Sequence, residues 1–156
     1  MIKIGINGFG RIGRCIFRAL IQSGRKDIVL KAVNVGIGDV DSYVHLLKYD
    51  STHGIFKDFE LIKEDLIVAG GTETKFITQL DPHKIDWQTL DVDIVLECSG
   101  AFTSYEKASL HLKSGAKKVI VSAPCEGADA TVVFGVNEHI ISPDHQIISV
   151  GFDCHG

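Results

Sequence analysis

Ile2-Lys3-Ile4-Gly5-Ile6-Asn7-Gly8-Phe9-Gly10-Arg11-Ile12-Gly13-Arg14 opens the chain with an apolar strand, a Gly8-x-Gly10-x-x-Gly13 turn and the first turn of a helix. In that order these residues form a dinucleotide-binding fingerprint. Gly8 permits the tight turn, Gly10 lets backbone N–H groups approach a pyrophosphate, and Gly13 lets the helix lie close on the strand. The helix N-terminus then offers partial positive charge to the phosphates. The same residues could also make a plain strand-to-helix turn with no ligand. The apolar strand before the motif and the helical Arg14–Ile21 after it favour the nucleotide reading.

Outward from this motif, the chain alternates strands and helices. Arg11–Ser23 is expected to be helical, with Ile12, Cys15, Ile16, Ala19 and Leu20 on one face and Gly24 as its stop. Ile28–Val35 reads as a second strand and Val40–Lys48 as a second helix. Phe59–Ile62 and Leu66–Val68 read as a short hairpin, and Gly70-Gly71 turns the chain into Lys75–Gln79. Val92–Cys98, Lys118–Ser122, Thr131–Gly135 and Gln146–Val150 read as further strands. Thr103 and Glu106 suggest a capping box for a helix ending at Ser114. The expectation is an α/β fold: a Rossmann-type, doubly wound, mostly parallel sheet with an antiparallel hairpin insertion.

Composition excludes several function classes. The 156 residues fit one domain, and 45% hydrophobic with 23% charged residues is ordinary for a globular chain. A formal net charge of −4 gives no general attraction to nucleic acid or an anionic membrane. No apolar run reaches the ~18 residues of a membrane span, and the N-terminus lacks a signal-peptide pattern. The four cysteines, Cys15, Cys98, Cys125 and Cys154, form no CxxC pair. They read as reduced thiols of a cytoplasmic protein, neither a disulfide frame nor a metal site.

Several motifs together resemble the phosphorylating glyceraldehyde-3-phosphate dehydrogenases. They are Gly5–Arg14, Leu47-Lys48-Tyr49-Asp50-Ser51-Thr52-His53-Gly54, Leu96-Glu97-Cys98-Ser99-Gly100-Ala101-Phe102, His111–Pro124 and Gly135-Val136-Asn137. The resemblance spans about residues 1–151 and is to the family's cofactor-binding domain, with the catalytic domain absent and 152–156 a divergent tail. It implies NAD or NADP as cofactor. Gly10, Arg11 and Ile12 would hold the pyrophosphate, mainly through backbone N–H groups, in a cofactor-binding loop that also includes Gly8, Phe9 and Gly13. Asn34 would lie beside the adenosine. Ser99, Gly100 and Phe102 would line the groove, and Ser122 and Ala123 would border the nicotinamide.

Three departures qualify that expectation. The family usually has Asn-Asp where this chain has Asn34-Val35, so a carboxylate that favours NAD over NADP is missing. No Arg or Lys follows nearby to attract a 2′-phosphate, and weaker NAD binding with relaxed selectivity is expected. Leu80 stands where a basic residue is common. Where the family has its nucleophilic cysteine the chain has Asp153, with Cys154 one residue late as the only candidate thiol. The seven histidines read as loop, helix-surface or terminal residues, none placed as the family's base.

The resulting expectation is an NAD(P)-binding domain whose family oxidises and phosphorylates a glycolytic aldehyde, but which is not catalytic alone. The alternative is a non-enzymatic regulatory module, or a partner of full-length subunits. A third reading is a dehydrogenase using Cys154 or completed in trans. Self-association into a homo-oligomer, or a partner chain, is expected from apolar surface that the family's second domain covers.

Overall fold

The computed structural model describes residues 2–24, 27–36, 45, 59–63, 66–69, 72–79, 81, 84–99, 104–122, 125, 127–132 and 144–150. The expected helix Val40–Lys48 lies outside them apart from His45. So do Gly100, Phe102, Ala123 and Cys154.

The strands are β1 (Ile2–Asn7), β2 (Ile28–Asn34), β3 (Phe59–Lys63), β4 (Leu66–Ala69), β5 (Thr72–Ile77), β6 (Ile94–Glu97), β7 (Lys118–Val121), β8 (Ala130–Val132) and β9 (Ile147–Val150). They form one sheet in the order β3-β4-β5-β2-β1-β6-β7-β9-β8. β3–β4 and β4–β5 pair antiparallel, and every other pair is parallel. β5 is therefore the seam: antiparallel to β4, parallel to β2. The expected hairpin thus extends one edge of the parallel sheet. β1 sits in the middle, and its last four residues are buried, as a strand covered on both faces must be.

Helix α1 (Arg11–Ser23) covers one face of this sheet. Phe17 is fully buried, and Ile16, Leu20 and Ile21 pack against Ile4, Ile6, Leu30 and Val33. The helix is rotated from the expected face: Phe17 faces inward, whereas Ala19 is exposed. Burying a phenyl ring rather than an alanine methyl gains more apolar area, about 1.5–3 kcal/mol for a full side chain. Phe17 meets Phe9 and Phe76 edge to face, with centroids 5.3–6.3 Å apart across the three pairs. Gly24 ends the helix in the left-handed conformation, φ 67°, its N–H donating to the Ile21 carbonyl.

The other face holds Trp87, packed with Ala32, Val95 and Ala116, and helix α2 (Tyr105–Lys113). Ala108 of α2 packs on Val119, Val121 and Ile147. The N-cap of α2 is Ser104, whose hydroxyl accepts from the Lys107 N–H, so Glu106 falls at the second helical position. The expected Thr103–Glu106 box is therefore one residue out of register. The helix register is set by burial of Ala108 and His111, and Ser104 caps that register as well as a threonine would. No helix among the described residues is long and apolar enough to cross a membrane.

Asp129 ties the β8 edge to β9. Its carboxylate accepts from the Gln146 N–H (2.8 Å) and the Ile147 N–H (3.1 Å), and its own N–H donates to the Ile147 carbonyl. The backbone bonds from Ile147 and Gln146 hold the carboxyl below the usual aspartate range, against a small opposing effect of burial. A depressed folded value stabilises the fold above the ordinary pKa, and that contribution is lost as pH falls through the folded value. Asp129→Asn is therefore expected to give a shallower loss of stability between about pH 4 and pH 2 than the parent chain. Urea unfolding midpoints across that range check this; parallel acid limbs would contradict it.

Candidate functional site

The chain leaves β1 towards β2 on one side and later returns to place β6 on the other. This reversal makes the carboxyl ends of β1 and β6 a topological switch point, where open α/β sheets form the crevice that binds ligands. The glycine loop lies at its mouth. The Gly8 N–H donates to the Asn34 carbonyl (2.9 Å), and the Cys98 N–H donates to the Asn7 carbonyl (2.8 Å). The loop is thereby fixed between the ends of β2 and β6.

The three fingerprint glycines are required for different reasons. Gly8 has φ 96°, and a Cβ there would lie 2.6 Å from the Ser99 Cα and N. A Cβ on Gly13 would collide with the Gly8 carbonyl oxygen. Both positions are dictated by the chain's own packing. Gly10 differs: it has φ −76°, and among the described residues a Cβ there meets no atom within 4 Å. The packing of the described residues does not require glycine at 10. A ligand approaching its backbone would.

Gly10 is also the N-cap of α1, without a side chain to cap it, and the first turn carries no acidic residue. The partial positive charge of this helix end is therefore not offset by a carboxylate of the first turn. Gly10 and Arg11 are exposed and Ile12 is half-buried. The Arg14 guanidinium folds back to donate from Nη1 to the Phe9 carbonyl (3.0 Å), bracing the loop. These features fit a diphosphate held by backbone N–H groups.

Of the other expected site residues, Phe9 places its ring in the core, leaving only its backbone at the crevice. Asn34 is buried, and its side chain is fully used as a staple. Nδ2 donates to Asn7 Oδ1 (2.8 Å) and the Gln79 carbonyl (2.7 Å), and Oδ1 accepts from the Gln79 N–H (2.8 Å) and the Gly36 N–H (3.2 Å). Ser99 follows β6 directly against Gly8. Ser122 joins the ends of β6 and β7, with both N and Oγ donating to the Glu97 carbonyl.

Cys98 lies between these groups. Burial pushes its thiol up to about 11, with the nearby Glu97 charge adding to the rise and a Ser122 hydrogen bond opposing it. At pH 8 roughly one thiol in a thousand is then thiolate, the form that reacts. Cys98 is therefore expected to resist iodoacetamide at pH 8 in the folded chain and to label on adding urea. Peptide mass spectrometry after a short pulse checks this; labelling of native Cys98 would refute it.

Sequence reading missed Glu97, Asn7, His111 and Trp87, which form a buried polar chain behind the crevice. His111 was expected at a helix surface, but it is fully buried. Its spacing from Ala108, three residues earlier on one helix face, was the available signal. Glu97 shares strand parity with buried Val95, which was the corresponding signal in β6.

A family model described as glyceraldehyde 3-phosphate dehydrogenase, NAD binding domain, matches residues 2–105. The chain is 46% identical over 148 residues to a glyceraldehyde-3-phosphate dehydrogenase of Xanthobacter flavus, covering 95% of this chain and 44% of that protein. It is 45% identical to that of Thermotoga maritima, covering 96% of this chain and 44% of that protein. A chloroplastic glyceraldehyde-3-phosphate dehydrogenase of Arabidopsis thaliana is 47% identical, covering 94% of this chain and 34% of that protein. The chain thus spans less than half the length of these relatives. With a matching family model over most of its residues and the fingerprint glycines placed at the sheet's switch point, the chain belongs to the NAD-binding domain family of the glyceraldehyde 3-phosphate dehydrogenases.

Proposed function

We propose that residues 1–151 act as one nucleotide-binding unit that holds NAD or NADP in the crevice between β1 and β6 without oxidising an aldehyde alone. Gly10 carries this reading: it is the described fingerprint glycine that the protein's own packing does not require. Its backbone, with those of Arg11 and Ile12, would hold the pyrophosphate. Gly8, Gly13 and Asn34 would shape the pocket, and Ser99 and Ser122 would line its far side, with Gly100, Phe102 and Ala123 completing it. Bound there, the cofactor would supply a hydride acceptor.

Cys98, the described cysteine nearest the crevice, is held in its thiol form, and His111 bonds Trp87 and Glu97 in the core. Position 35, where the family's carboxylate is expected, holds Val35, which packs in the α1-face core. With no carboxylate there to repel a 2′-phosphate, NAD and NADP should bind with affinities within about tenfold of each other, a difference of at most about 1.4 kcal/mol.

Parallel calorimetric titrations with NAD and NADP test this. Saturable binding of either, abolished by Gly10→Ala while the fold persists, is the expected result. Heat-silent titrations of both at millimolar ligand would reject it. Association with a second copy or a partner chain belongs to the same reading, and sedimentation of the chain at high concentration checks it: a monodisperse monomer would count against it.

A further inference from the structure

Behind the glycine loop, a line of buried side chains is fixed in direction from both ends. At one end Trp87 Nε1 donates to His111 Nδ1 (3.1 Å). An indole N–H only donates, so Nδ1 accepts and the ring carries its proton on Nε2. Nε2 lies 2.5 Å from Glu97 Oε2. At the other end, the backbone N–H and carbonyl of Gln79 fix which way the Asn34 amide points. Asn34 Nδ2 thus faces Asn7 Oδ1, and Asn7 Nδ2 is turned onto Glu97 Oε2 (2.8 Å).

Glu97 Oε2 therefore receives two protons from its neighbours. Oε1 receives the Ser99 backbone N–H (2.9 Å) and the Ser99 hydroxyl. Three of the four groups on it, the His111 Nε2–H, the Asn7 amide and the Ser99 N–H, can only donate, and the Ser99 hydroxyl is able to, so Glu97 meets all four bonds by accepting, with only 1% of its surface exposed. It ends β6 two residues before Ser99, whose backbone lies against Gly8 of the glycine loop.

We propose that Glu97 is a positioning residue for the crevice: its carboxylate takes both Ser99 protons, so Ser99 meets a bound dinucleotide as a hydrogen-bond acceptor and receives a ribose hydroxyl rather than a phosphate oxygen. The inference rests on the nucleotide reading above. A phosphate at Ser99 would face a committed hydroxyl proton and a buried negative charge behind it, both unfavourable. A sugar hydroxyl would donate into the same oxygen. His111 and Trp87 act at one remove by holding the carboxylate in place.

A double-mutant cycle on NAD affinity tests this with the full chain. Glu97→Gln keeps the shape but turns an amide N–H₂ towards groups that themselves donate. Glu97→Gln and Ser99→Ala are each expected to weaken NAD binding about tenfold, and the double variant no further, because Glu97 acts through Ser99. A merely structural glutamate would give losses that multiply. Multiplying losses, or parent-like binding by Glu97→Gln, would overturn the proposal while leaving the nucleotide reading intact. Failure of the parent chain to bind NAD would overturn both.

Imidazole ¹⁵N spectra of the parent chain provide a check that does not depend on any variant folding. They are expected to show His111 with a bare Nδ1 and a protonated Nε2; a protonated Nδ1 would overturn the proposal.

Discussion

Gly8→Ala is expected to cost roughly 4 kcal/mol of folding stability and to remove nucleotide binding with it. A non-glycine residue held near φ 96° is strained by about 1–3 kcal/mol. The added methyl would also sit 2.6 Å from the Ser99 Cα and N and 2.9 Å from the Cys98 carbonyl carbon. All of these are backbone atoms of the strand end beside it, which cannot rotate away. Forcing such a contact costs about a further 1–3 kcal/mol. A domain of this size has about 5–15 kcal/mol in total, so much of the margin is lost.

Gly10→Ala is the matched comparison. Its methyl meets no atom of the described residues, its φ is ordinary, and losing glycine at an N-cap costs about 1 kcal/mol. Urea unfolding should separate the two variants clearly, with Gly8→Ala far less stable and Gly10→Ala near the parent. Equal unfolding midpoints would show that the loop adapts and that packing against β6 does not dictate Gly8.

The same contrast shows what was legible in the sequence. The G-x-G-x-x-G spacing, the strand before it and the helix after it located the switch point, because turn chemistry and apolar patterning are local properties. The antiparallel edge was legible for the same reason, from a charged turn between two short apolar runs. Which residues face each other across the crevice was not. Asn7, Asn34 and Glu97 are far apart in sequence and meet through sheet order, and His111 reaches Glu97 from helix α2.

The direction of single side chains was not legible either. Phe9, inside the motif, turns its ring into the core with Phe17 and Phe76, because a large apolar side chain next to an open glycine loop has more to gain below the sheet than above it. Asn34, expected beside the adenosine, uses its amide to join β2 to the segment after β5. Histidine gives little away in sequence: the ring is equally at home in water or, with both nitrogens bonded, in a core.

Asn34→Asp is expected to destabilise the chain by about 3–5 kcal/mol at neutral pH, the usual cost of an uncompensated buried charge, although only one atom changes type. The two acceptances from the Gln79 and Gly36 N–H groups survive the change. The position of Nδ2 does not: it now donates to Asn7 Oδ1 and the Gln79 carbonyl, and an oxygen there would face two acceptors. Asn7 cannot relieve this by turning over, because its Nδ2 is held on the Glu97 carboxylate. A protonated aspartic acid could donate to one of the two acceptors, so the new carboxyl should bind its proton more tightly folded than unfolded. A raised folded pKa means stability that is present in acid and lost as pH rises through the folded value. The deficit of Asn34→Asp relative to the parent should therefore be smallest near pH 4 and grow towards pH 8, opposite in sign to the acid effect at Asp129. Unfolding midpoints at the two pH values decide it. A deficit independent of pH would mean that the Asn34 amide is not held between the two acceptors, and the directed chain from Gln79 to Glu97 would lose its first link.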